Sequence, residues 1–195
     1  MRTVAVLTLA GLLAGCGKPA PTVRETEATK VAAVSTLTGW DRVFASPQEV
    51  IGAINQAGLG IDMPAAADYA LSGHERMISN SSAAVPNTIN ATVKGAEPAR
   101  IDTITYSLSL TDPVDAKTAR RRFAQTIGDF LTRFKLPGFA ALLDAARDGQ
   151  PFAQTVAGAP ASVVVVPPAN GAPERIDVTF TRPAAISPGN TKTQG

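Results

Sequence analysis

The strongest constraint on the fold is a two-residue rhythm that recurs in three separate segments. In 88–94, Ile89, Ala91 and Val93 alternate with Thr88, Asn90, Thr92 and Lys94. In 103–110, Ile104, Tyr106, Leu108 and Leu110 alternate with Thr103, Thr105, Ser107 and Ser109, and in 176–181 Ile176, Val178 and Phe180 alternate with Asp177, Thr179 and Thr181. Successive side chains of a strand point to opposite faces, so each segment predicts a strand with one apolar and one polar side. A sheet with one wet face is antiparallel far more often than parallel, because parallel sheets are covered on both sides. The loop "GAEPA" at 95–99 suits a hairpin between the first two strands. A more buried strand is expected at Val163–Val166, closed by Pro167 and Pro168, and a further one within 69–79.

Helical periodicity fills the intervals. In "SPQEVIGAINQAG", 46–58, Ser46 and Glu49 have the spacing of a capping box, Pro47 suits the first helical position, and Val50, Ile51, Ile54 and Ala57 form an apolar face. Trp40, Val43 and Phe44 precede it as an apolar lead-in, and 59–68 reads as a partly buried loop. A long helix is expected from Asp112 as cap and Pro113 as first residue to Phe134 or Lys135. Its stripe comprises Ala116, Ala119, Phe123, Ile127, Phe130, Leu131 and Phe134. A shorter helix, about 138–147, offers Phe139, Leu142, Leu143 and Ala146. The order helix, strands, two helices, strands predicts an α+β two-layer sandwich, a mainly antiparallel sheet with helices on one face.

Composition supports a folded core and limits the partners. The chain is 45% apolar and 17% charged, and its formal charge of +2 is too small to indicate a nucleic-acid partner.

The first residues carry the parts of an export signal. Arg2 supplies a positive charge, Val4 to Leu13 form an apolar run interrupted by Thr8 and Gly11, and Ala14 and Gly15 are small. The run is about half of the ~20 residues that a spanning helix needs. It ends at Leu13-Ala14-Gly15-Cys16, which resembles the lipobox of bacterial lipoproteins. That resemblance implies diacylglycerol on the Cys16 sulfur, cleavage before it and acylation of the new amino terminus. Cys16 is the only cysteine, so acylation would leave no thiol for a disulfide, a nucleophile or a metal. Gly17, standing where an Asp tends to retain such lipoproteins in the inner membrane, points to the outer membrane, facing the periplasm. The expected organisation is a signal peptide over 1–15, a lipidated tether over 16–38, one globular α+β domain over 39–182 and a disordered tail over 183–195. Fully extended, the tether would reach about 70 Å.

Chemistry-bearing residues are sparse. His74 is the one histidine. With Ser72 two residues away it is the only local hint of a base and a nucleophile, and it matches no hydrolase motif. No cofactor is implied, and no metal: a zinc site needs several His, Cys or carboxylate ligands, and Asp62, Asp68, Asp112 and Asp115 show no calcium-loop spacing. Lys117, Arg120 and Arg121 fall at i, i+3 and i+4 of the long helix, where they could meet lipid headgroups or a polyanion. The polar strand faces offer hydrogen-bonding groups to a protein or glycan. The expectation is a non-catalytic, lipid-anchored envelope protein that binds or supports an assembly. The alternatives are a small hydrolase using His74 and a carrier of apolar cargo around Phe123, Ile127, Phe130 and Phe134.

Overall fold

A computed structural model describes Thr22, Arg24 and residues 36–62, 69–78, 84–96 and 100–184. Cys16, the signal segment, most of the tether, Asp68, residues 97–99 of the expected hairpin loop and the tail from 185 lie outside the described residues. Among the described residues the elements are, in chain order, α1 (Gly39–Ala45), α2 (Pro47–Gln56), β1 (Tyr69–Ser72), β2 (Arg76–Met77), β3 (Thr88–Gly95), β4 (Thr103–Leu110), α3 (Ala116–Arg133), α4 (Ala140–Asp148), β5 (Phe152–Val156), β6 (Ala159–Val166) and β7 (Glu174–Thr181).

The strands form one antiparallel sheet in the order β1-β3-β4-β7-β6-β5, with β2 also pairing with β3. Register carries the alternation across the sheet. Ile89 stands opposite Leu108 and Leu108 opposite Ile176, while Val93, Ile104, Phe180 and Ala161 make a second apolar row. These side chains are buried. The other face carries Thr92, Thr105, Thr179 and Ser162 in one row, all half-buried. The fold is an α+β sandwich, as the patterning predicts.

Ring contacts show which face the helices cover. Trp40 of α1 lies 5.0 Å from Phe180 and stacks on Phe44, and Phe130 of α3 meets Tyr106 edge-on at 5.7 Å. Phe180 and Tyr106 project from the apolar side, so α1 and α3 pack on the same side of the sheet. The α3 stripe buries Ala119, Phe123, Ile127, Phe130 and Leu131, each large side chain contributing about 1.5–3 kcal/mol. Trp40 Nε1 donates to the Val156 carbonyl at 2.7 Å, and Arg182 donates to the Phe44 and Ile101 carbonyls, so both ends of the chain's central unit are tied together.

Local rules fail in four places, each for a physical reason. The Ser46 side chain makes no cap bond. Ser46 is the sole residue between α1 and α2: its N–H closes on the Val43 carbonyl while its own carbonyl accepts from Val50. That double role sets its ψ at 70°, away from cap geometry. Glu49, freed from the capping box, accepts two bonds from Arg42. The long helix starts at Ala116, three residues after the expected Pro113, because Asp112 is pinned to the end of β4. The Asn87 amide takes both Asp112 backbone groups, and the Asp112 carboxylate turns back onto the Val114 N–H. The strand expected within 69–79 is split at Gly73, where a Cβ would stand 2.3 Å from the Leu59 carbonyl oxygen. Finally, the strand expected at Val163–Val166 starts at Ala159 and pairs with an unforeseen β5 through Ala157 and Gly158, both at positive φ as tight hairpin turns require.

Candidate functional site

Between α2, β2 and α3 lies an open groove of about 520 Å³. Its polar wall carries three guanidinium groups, Arg76, Arg122 and Arg133, against one carboxylate, Asp129, and Tyr106 contributes to its lining from the sheet beneath. The three arginines arrive by different routes. Arg76 sits opposite Ile89 in the β2–β3 pairing and so shares the apolar side of the sheet with the Ile89–Leu108 row. Arg122 and Arg133 lie three helical turns apart on α3.

Each arginine is placed by a specific contact. Arg122 Nη1 donates to the Ile78 carbonyl at 3.1 Å, joining α3 to the chain just after β2. Arg133 Nη1 donates to Gln56 Oε1 at the end of α2. Arg76 lies over the turn after α2, where Gly58 adopts a φ of 77° and a Cβ would stand 3.1 Å from the Arg76 Cδ. Glycine there serves both the left-handed backbone and the room the arginine occupies. The Arg76 Nε is buried without a hydrogen-bond partner among the described residues.

Tyr106 is 1% exposed and packs against Phe130. Burial pushes its phenol well above the ordinary tyrosine pKa, so the hydroxyl stays protonated and neutral. Among the described residues nothing hydrogen-bonds that hydroxyl.

The residues singled out from the sequence lie elsewhere. His74 follows β1 rather than standing in it, 76% exposed, with Nε2 3.8 Å from the carboxylate of Asp62, itself 94% exposed. Ser72 Oγ accepts from Asn90 at 3.3 Å. Neither arrangement couples a base to a hydroxyl. Lys117 and Arg121 are exposed on α3, whereas Arg120 is half-buried and donates to Glu174 at 2.6 Å. Arg120 and Glu174 line a second, shallower hollow of about 790 Å³ between the start of α3 and 168–174. Phe123, Ile127, Phe130 and Phe134 are buried in the core. Among the described residues no three His, Cys, Asp or Glu side chains are grouped to hold a metal ion. Neither Arg76 nor Tyr106 stands in a sequence pattern that marks a site, and Arg122 and Arg133 read from the sequence only as part of a basic helix. The one available signal was a tyrosine within the otherwise aliphatic row Ile104, Leu108 and Leu110.

DUF6030, a family of unknown function, matches residues 42–164, from α1 into β6. The chain belongs to this family. Every residue of the groove falls inside the matched segment, and β7 falls outside it. No curated protein and no solved structure matches the chain.

Proposed function

We propose that this DUF6030 member is a lipid-anchored protein of the cell envelope, held at Cys16 and facing the periplasm from the outer membrane, and that it acts by binding. The anchor rests on the lipobox-like Leu13-Ala14-Gly15-Cys16 behind its apolar run. A diacylglycerol with a further acyl chain gives stable membrane holding, which one chain alone does not. No helix among the described residues is long and apolar enough to cross a membrane.

The observation that carries the binding reading is the groove over Tyr106: an open concavity of ligand size whose buried Arg76 Nε has no partner among the described residues. A binding role is preferred to hydrolysis because the geometry around His74 offers no activated hydroxyl. The partner is a soluble envelope component or an envelope protein or glycan presenting a group to the groove, and nucleic acid has no place in this reading.

The anchor is tested by growing cells with labelled palmitate and fractionating them. The wild-type chain takes up label and sediments with membranes. Cys16→Ala takes up none and leaves the membrane fraction, and continued labelling of that variant would refute lipidation at Cys16.

A further inference from the structure

We infer that the group bound in the groove is a small oxyanion, a carboxylate or a phosphate, seated against the Arg76 guanidinium and the Tyr106 hydroxyl. This rests on the reading of the groove as a binding site and specifies what it recognises.

Charge points first. Arg76 and Arg133 share the groove with a single carboxylate, Asp129, so these groups give its lining a positive balance. Arginine stays charged at any physiological pH, and a guanidinium N–H left unsatisfied in a buried position is more costly than a neutral one. The buried Arg76 Nε is such a donor. An oxyanion satisfies it and an adjacent Nη together, the two-point geometry that carboxylates and phosphates share.

Tyr106 points to the same chemistry from the sheet beneath the groove. Its hydroxyl is held protonated by burial and can donate, and an oxyanion is a strong acceptor. Arg76 and Tyr106 issue from the same side of the sheet in adjacent cross-strand rows, Arg76–Ile89–Leu108 and Ala91–Tyr106–Val178. The rim is held by the protein itself: Arg122 is tied to the Ile78 carbonyl and Arg133 to Gln56. A volume of about 520 Å³ takes a small organic anion rather than a folded partner.

The test follows Tyr106 directly. The full chain, purified in a non-ionic detergent, is labelled with 3-fluorotyrosine at its two tyrosines. The Tyr106 resonance is assigned by its loss in Tyr106→Phe. Inorganic phosphate, succinate and uncharged 1,4-butanediol are titrated separately at fixed pH and ionic strength.

Saturable movement of the Tyr106 signal with phosphate or succinate, and none with butanediol, is the expected result. The anion that saturates at lower concentration identifies the headgroup class. Arg76→Gln should raise the apparent Kd about tenfold or more, and Arg133→Gln, at an exposed position that does not threaten the core, about threefold. Arg147→Gln, on α4 beside Asp144 and Asp148, should leave it unchanged. Equal movement with butanediol and the anions overturns the oxyanion inference while leaving a binding groove. No movement with any of the three overturns both. Unchanged affinity in both Arg76→Gln and Arg133→Gln overturns the assignment of the anion to these guanidinium groups.

Discussion

Replacing Asn87 by Ala tests how the sheet and the long helix are joined. Asn87 is fully buried just before β3. Its Nδ2 donates to the Asp112 carbonyl at 3.0 Å and its Oδ1 accepts from the Asp112 N–H at 2.8 Å, so one side chain stands in for a strand partner where β4 has ended. Alanine removes both partners at once and leaves a buried N–H and a buried C=O unsatisfied. Each such group costs about 1–3 kcal/mol, and Asp112 is 9% exposed, so water recovers part of it. The expected loss is about 2–4 kcal/mol, a large share of the 5–15 kcal/mol typical of a folded domain. Urea unfolding of the full chain in non-ionic detergent measures it, followed through Trp40, the sole tryptophan and a buried one. Asn87→Asp sharpens the test, because it keeps the acceptor for the Asp112 N–H but sets a carboxylate oxygen against the Asp112 carbonyl. At neutral pH it should cost at least as much as alanine. A loss below about 0.5 kcal/mol for Asn87→Ala, with an unchanged denaturant slope, would show that the paired bonds do not hold the β4–α3 junction.

Two further perturbations probe separate links. Gly73→Ala places a Cβ 2.3 Å from the Leu59 carbonyl oxygen and 3.1 Å from Ile61 Cγ1, and backbone must move to admit it. A loss of about 1–3 kcal/mol is expected, whereas Gly52→Ala in α2, where a Cβ meets nothing within 4 Å, should gain up to about 1 kcal/mol. Equal unfolding midpoints for the two variants would discard the close-approach argument. The hydrogen bonds from Arg42 hold the Glu49 carboxyl below the ordinary glutamate value, against a smaller opposing effect of burial. A folded-state pKa lowered in this way adds stability that is fully present above the unfolded value and is lost as pH falls through the folded one. Carbon-13 titration of the Glu49 carboxyl should therefore show a depressed midpoint that returns most of the way in Arg42→Ala. A midpoint that stays low in that variant contradicts the pairing.

The parts of the fold legible in the sequence are those where burial differs between successive residues. β3, β4 and β7 have one covered and one open face, and their sequences alternate accordingly. β5 has no such contrast: Ala153, Gln154 and Thr155 are all exposed at the sheet edge, so nothing periodic marks it. β6 alternates from Ala159, but with Ala-Pro-Ala in place of large apolar residues, and its hairpin turn uses Ala157-Gly158 rather than an Asn-Gly signature. Asp112-Pro113 has the local grammar of a helix start, and a contact from Asn87, 25 residues upstream, overrides it. The groove was hidden for the same reason. Arg76 and Arg133 come from distant segments joined only when α3 crosses the sheet, and Tyr106 reads as one more inward residue until its unpartnered hydroxyl is seen.

The family match and the folding unit have different limits. The matched segment ends at residue 164, within β6, yet β7 lies between β4 and β6 in the sheet. Ile176, Val178 and Phe180 are fully buried there, with Val178 opposite Tyr106 and Phe180 against Trp40. The strand that presents Tyr106 to the groove is therefore braced on one side by β3 from inside the matched segment and on the other by β7 from beyond it. Residues that line the groove and residues that hold its floor consequently obey different constraints. Arg122 and Arg133 are held by the Ile78 carbonyl and by Gln56, while β7 needs only the size and alternation that keep β4 in register. On the binding reading proposed above, a substitution in the groove lining would change recognition, whereas one in β7 would act through the register of β4.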